Sequence, residues 1–195
     1  MCGEELSLAK ARMSDGVVDL FQLEAQNLTA IKNASIDIVL CHWALTLMDP
    51  ITPVLKEVNR ILSSGGKFAA LVNGPMNTAP GYLDVYNLIY KHVQTKLPNY
   101  GKIDLGDPRI RSTKSLERLV GEAFPSAEVS IENNVVSMVG PVTEVSETAA
   151  GFFYASLILP TELRMRMLLD LSRLLSVSKQ EGRFVMPVSR LIIKK

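Results

Sequence analysis

Cys41-His42-Trp43 closes an apolar run that begins at Ile36, and it is where reactive side chains first cluster in this 195-residue chain. A histidine titrates near neutrality, so His42 at the carboxyl end of a buried strand is a candidate general base or substrate ligand. The plainer alternative is a histidine hydrogen-bonded to a loop carbonyl. Cys41 would be a nucleophile only as a thiolate, and nothing nearby in sequence lowers its pKa. A small buried residue lining a pocket is the better reading of it. Trp43, the only tryptophan, can stack on a ligand or pack in a core. Tyr82, Tyr86 and Tyr90 recur at i, i+4 and i+8, one face of a helix. That face is either an aromatic wall for a substrate or a surface packed on a sheet. Two histidines and two isolated cysteines are too few for a metal site. Neither a Ser-His-Asp arrangement nor a P-loop pattern occurs.

Those residues need a scaffold, and the chain alternates strand and helix patterns. Glu4 to Met13 reads as a helix and Val17 to Leu23, VVDLFQL, as a strand. Ile36 to Cys41 is apolar apart from Asp37, which suits a strand buried on both faces of a parallel sheet. Pro50 and Pro53 open a helix in which Val54, Leu55, Val58, Ile61 and Leu62 share one face. Gly65-Gly66 stops it, and Lys67 to Val72 is the next buried strand. Pro80 to Leu97 reads as a helix, Asn99 to Arg111 as a loop, and Ser112 or Thr113 caps a helix ending before Pro125. Ala127 to Glu132 alternates as a half-buried strand, 144–159 and 161–178 are helices broken at Pro160, and Val188 to Ile193 is a last strand. Pro187 suggests that this strand lies near an edge. Arg109, Arg111, Lys194 and Lys195 read as solvated.

Bulk properties set outer limits. One domain, 1–195, suits the length. With 21 basic and 20 acidic residues the net charge is +1, which gives no electrostatic case for nucleic acid or an anionic membrane. The longest apolar run, Gly151 to Leu159, is far below the roughly 20 residues that span a bilayer. The charged amino terminus does not read as a signal peptide, so a cytoplasmic location is expected.

The order of these elements resembles a class I S-adenosylmethionine (SAM) methyltransferase. Leu23-Glu24-Ala25-Gln26-Asn27-Leu28 followed by Ser35-Ile36-Asp37-Ile38-Val39 is similar to the family pattern G-D-A-x-x-L-P … S-F-D-x-V. Asn59-Arg60-Ile61-Leu62 with Gly65-Gly66 is similar to x-R-V-L-K-P-G-G. The resemblance implies an α/β, Rossmann-like sandwich with a mostly parallel sheet and an antiparallel last strand. It implies SAM as cofactor and methyl transfer to a small-molecule acceptor. By position it assigns Glu24 to the adenine amino group, Ala25 to the adenine ring through its N–H, and Cys41 to the methionine part of the cofactor. His42 is then the candidate catalytic residue, and Trp43, Tyr82 and Tyr86 face the acceptor, with 144–178 as a substrate cap.

Two family elements have no counterpart in the sequence: the glycine-rich loop and the acidic residue that binds the cofactor ribose. Register puts that acid one position before Met1, so the chain is expected to be N-terminally truncated relative to the family. Each lost charge-assisted bond is worth about 1.5–3 kcal/mol. The missing strands leave an exposed sheet edge through which the chain could form an oligomer. The alternative function is a non-catalytic methyltransferase-fold remnant acting as an interaction module.

Overall fold

The computed structural model describes residues 3–13, 18–101 and 106–195. Helix α1 (Gly3–Arg12) comes first and buries none of its residues. The expected strand at 17–23 is not formed: Val17 lies outside the described residues, and 18–23 carry no strand pairing. The β-rich pattern is real, but a strand needs a neighbour to take its backbone N–H and C=O groups. None of the sheet's strands pairs with this segment.

The sheet starts with β1 (Ile36–His42), crosses through α2 (Ile51–Ile61) and returns as β2 (Leu62–Asn73). β1 and β2 are parallel, with Val39 beside Phe68 and His42 beside Leu71. The pairing jumps between Ile36↔Leu62 and Ile38↔Lys67, so residues 63–66 of β2 stand against Asp37 alone. Glycine is required in that excursion. Gly65 has φ +77°, and a Cβ on Gly66 would lie 2.9 Å from the Ser63 carbonyl oxygen and 3.2 Å from that of Asp37.

Helices α3 (Tyr82–Gln94) and α4 (Thr113–Ala123) follow, then β3 (Glu128–Pro141), α5 (Val142–Phe152), the short α6 (Ala155–Ile158), α7 (Thr161–Leu175) and β4 (Glu181–Lys194). Strand order is β1-β2-β4-β3, and β4 is antiparallel to both its neighbours. Three strands therefore share one direction and the last opposes them, as the sequence implies. β4 is internal rather than near an edge. Pro187 is tolerated because the β2 ladder ends at Val188, and just past that end the Pro187 carbonyl still accepts the Gly74 N–H at 3.1 Å, so only a donor is missing there. The β3–β4 ladder runs for the full length of both strands, well beyond 127–132 and 188–193. Asn133-Asn134, Gly182 and Pro187 disguise this length in the sequence.

Two apolar clusters fill the molecule. The first joins α2 and α4 to the sheet through Val54, Leu55, Phe68, Leu116, Val120 and Leu191. The second joins α3, α5 and α7 to the far part of the β3–β4 hairpin through Ile89, Val93, Val145, Met167, Leu171 and Phe184. Lys195 is not a solvated tail. Its Nζ donates to the carbonyls of Asn59 at 2.6 Å and Leu62 at 2.8 Å, capping the negative end of α2. No helix among the described residues is long and apolar enough to cross a membrane.

Candidate functional site

The carboxyl end of β1 turns sharply. Trp43 has φ +60°, left-handed for a bulky residue, and its N–H still donates to Leu71 of β2 at 3.1 Å. The Thr46 hydroxyl donates to the Trp43 carbonyl at 2.6 Å, closing the 3-10 turn Ala44–Leu47. A second loop buttresses this turn. The Asp107 N–H donates to Met48 at 3.0 Å, and a Cβ on Gly106 would meet the Thr46 carbonyl oxygen at 2.2 Å. Asp107 is buried, accepts the Arg109 N–H at 3.0 Å and binds the Arg109 guanidinium at 2.6 Å. The guanidinium holds the Asp107 carboxyl below the usual carboxylate range. Arg109 is therefore a structural partner, not a solvated charge.

Cys41 is half-buried against the first cluster. Burial pushes its thiol pKa up, opposed by the backbone N–H groups of Leu45 and Ala44. It is a neutral thiol at the floor of the site, not an activated nucleophile. His42 is exposed, with its ring edge toward Trp43 at a 6.1 Å centroid distance. No described residue hydrogen-bonds the imidazole, so it is open to solvent or a ligand.

Trp43 meets the helical region between β3 and β4. Its ring contacts Phe152 at the end of α5, edge to face, at 5.4 Å. Phe152 contacts Phe153 at 5.3 Å, and Phe153 in turn touches Tyr82, Tyr86 and Tyr90 at 5.9, 6.1 and 6.4 Å. A continuous aromatic wall thus runs from the end of β1 to α3. Tyr86 is half-buried and stacks on Tyr90 at 3.9 Å. Tyr82 lies deeper, 5% exposed and stacked on Phe184 at 6.1 Å. Burial raises its phenol pKa to about 12. The Tyr100 hydroxyl donates to the Phe153 carbonyl and fastens the wall. Phe152 and Phe153 escape a reading by motif, and their one signal is an aromatic triplet, Phe152-Phe153-Tyr154, at a helix end.

Glu24 and Ala25 lie on the connector into β1. Glu24 is exposed, and its carbonyl accepts the Asn27 N–H at 2.9 Å in a turn. Ala25 packs on the first cluster. Two side chains of α2 fix this connector. Glu57 accepts the Leu28 N–H at 2.7 Å, and Arg60 donates to the carbonyls of Leu28 at 2.8 Å and Ile31 at 2.9 Å. Arg60 and Glu57 also pair at 2.8 Å. The Arg60 hydrogen bond, helped by the Leu28 N–H, takes the Glu57 carboxyl down to about 2. Arg60 belongs to the second family-like motif, so its position was legible, but its bonds were not.

Two open hollows flank α3. One of about 590 Å³ is lined by Tyr86, Tyr90, Gln94 and Gly101 among others, and continues the aromatic wall outward. The other, about 620 Å³, lies beside His92 and Asp170, which pair at 3.1 Å and tie α3 to α7. Neither is lined by residues 41–43.

Residues 1–70 match the sequence model of a family described as methyltransferase domain. No curated protein sequence matches the chain. Among solved structures, the YcgJ protein of Bacillus subtilis superposes with TM-score 0.54 at 13% identity, over 98% of this chain and 76% of its own. A SAM-dependent methyltransferase of Methanosarcina mazei gives 0.53 at 16% identity, over 100% of this chain and 78% of its own. A SAM-dependent methyltransferase of Mesorhizobium loti gives 0.50 at 15% identity, over 100% and 77%. At such identities the likeness is one of fold, and the fold is that of class I methyltransferases.

Proposed function

We propose that this chain, built on the class I methyltransferase fold, carries the acceptor side of a SAM-dependent methyltransferase acting on a small molecule. The observation that carries this reading is the Trp43–Phe152 contact. It brings the helical region between β3 and β4 against the carboxyl end of β1, where open α/β sheets bind ligands.

The residues present fit the cofactor at one end. Glu24 offers a carboxylate free to accept from an adenine amino group, Ala25 offers a backbone N–H, and the connector that carries both is held by Glu57 and Arg60. Cys41 offers a small neutral floor. Among the described residues, none of those assigned to the cofactor reaches the ribose or the charged end of the amino-acid tail by the resemblance. SAM supplies an electrophilic sulfonium methyl, and an acceptor atom aligned with it needs little more than positioning. Trp43, Phe152 and Tyr86 provide an apolar wall that excludes water from one side of the acceptor. Tyr82 supports that wall from beneath. His42 stands at its open edge, where its imidazole takes a proton from an acceptor that must lose one.

The test is methyl transfer from methyl-labelled SAM into small-molecule, protein and nucleic-acid fractions of a cell extract. The reading expects label in the small-molecule fraction, reduced by Trp43→Ala and Phe152→Ala. Label confined to macromolecules, or no transfer together with no binding of S-adenosylhomocysteine, would overturn it.

A further inference from the structure

Trp43 reaches Phe152 from a strained backbone. At φ +60° its Cβ is crowded, and a bulky residue stays there only where its surroundings over-determine it. The edge-to-face contact with Phe152 tolerates small shifts, so the ring follows the backbone rather than fixing it. The turn after β1 must therefore be held from outside.

One hold is β2, whose Leu71 carbonyl accepts the Trp43 N–H at 3.1 Å. The other comes from far along the chain, at Gly106-Asp107-Pro108-Arg109. Gly106 lies backbone to backbone on the turn. It has φ +71°, and an added Cβ would stand 2.2 Å from the Thr46 carbonyl oxygen and 3.0 Å from the Leu47 carbonyl carbon. The Asp107 N–H donates to the Met48 carbonyl at 3.0 Å. Pro108 opens the 3-10 helix Pro108–Arg111 and folds Arg109 back onto the Asp107 carboxylate. That carboxylate accepts the Arg109 N–H at 3.0 Å and its guanidinium at 2.6 Å. The Ile51 N–H, at the first residue of α2, helps keep it ionised. Asp49, just before α2, and Glu122, on α4, add attraction for Arg109. A buried charge, 4% exposed, is thus tied to the end of the turn, to the start of α2 and to a cation.

We infer that Asp107 is the positioning residue of the acceptor wall: with Arg109 it locks the turn after β1 in the form that presents Trp43 to Phe152. It acts through Trp43 rather than on the acceptor. With the lock broken, Met48 is released, Trp43 relaxes toward extended backbone, and its ring leaves Phe152. The role rests on the acceptor reading of the Trp43–Phe152 wall, but its test needs neither SAM nor an acceptor. The lock can fail while methyl transfer stands, and methyl transfer can fail while the lock holds.

Trp43 is the only tryptophan, so intrinsic fluorescence reports on it alone. The test is the emission maximum and acrylamide quenching of the intact chain, read at a temperature where circular dichroism shows every variant folded. Asp107→Ala should shift the emission to the red and lose protection from acrylamide. Arg109→Gln should do the same to a smaller extent. The Arg109 side chain is 42% exposed, so the fold survives that change even if Asp107→Ala is too severe. Val58→Ala, about two turns further along α2 than Ile51 and buried in the first cluster, should lower stability and leave the emission in place. Unchanged emission and quenching in folded Arg109→Gln would overturn the inference. So would an equal shift from Val58→Ala, since the effect would then be one of general loosening.

Discussion

The connector side and the wall side of the site are held by different forces. On the connector side, residues 24–34 are fastened to α2 by directional, charge-assisted bonds from Glu57 and Arg60, while Lys195 caps the same helix. On the wall side, Trp43, Phe152, Phe153 and the α3 tyrosines meet almost wholly through ring contacts. Directional bonds fix atoms to one geometry, whereas aromatic packing tolerates small shifts. The side suited to an invariant cofactor is thus rigidly defined, and the side suited to the acceptor is the adaptable one.

Core truncations would give the largest effects. Phe68 is 1% exposed on β2, and Phe68→Ala should cost about 3–5 kcal/mol. Because β2 joins both sides, the loss should appear in hydrogen exchange throughout the sheet. Phe153→Ala should cost a comparable amount but raise exchange mainly in α3, α5 and α6. Equal loosening of residues 24–34 by Phe153→Ala would show that the two sides are not held separately.

Next comes the clamp. Arg60→Ala removes bonds to Leu28, Ile31, Asn33 and Glu57 together. It should raise exchange at residues 28–33 by about tenfold or more, since charge-assisted bonds are the stronger class. The acid response has a definite sign. The folded Glu57 carboxyl sits near 2, below its ordinary 4.5, so its contribution is present above 4.5 and is lost as pH falls from there through 2. Glu57→Gln should abolish that part of the acid response, read as connector exchange compared between pH values after correction for intrinsic rates. An unchanged acid profile in the variant would place the sensitivity elsewhere.

Trp43→Ala should have the smallest effect on stability. It loses an edge-to-face contact worth about 0.5–1.5 kcal/mol. It relieves no backbone strain, because alanine keeps the Cβ that makes φ +60° unfavourable. Activity should fall far more than the melting temperature.

The sequence made the parallel β1–α2–β2 unit legible because apolar runs and helical spacing agree with one another, although α2 ends at Ile61 and the glycine pair read as its stop lies in the excursion of β2. The antiparallel last strand followed from the family resemblance. What escaped depends on partners distant in the chain. Residues 18–23 have a strand's composition but pair with no strand among the described residues. β3 and β4 carry Asn133, Asn134, Gly182 and Pro187 yet pair along their full length, each restoring the other's register. Lys195 and Arg109 look solvated until the fold delivers the α2 carbonyls and Asp107 to them. For the site, His42 and Trp43 were visible as the end of a buried strand. Phe152 was not, because only the packing of α5 brings it to Trp43.

The most direct test of the central claim is a hydrogen-exchange footprint of the chain with saturating S-adenosylhomocysteine. The account expects protection at the connector, residues 24–28, together with residues 41–46 after β1, and little change around His92 and Asp170. Protection along α3 and α7 without the β1 end, or none anywhere, would contradict it.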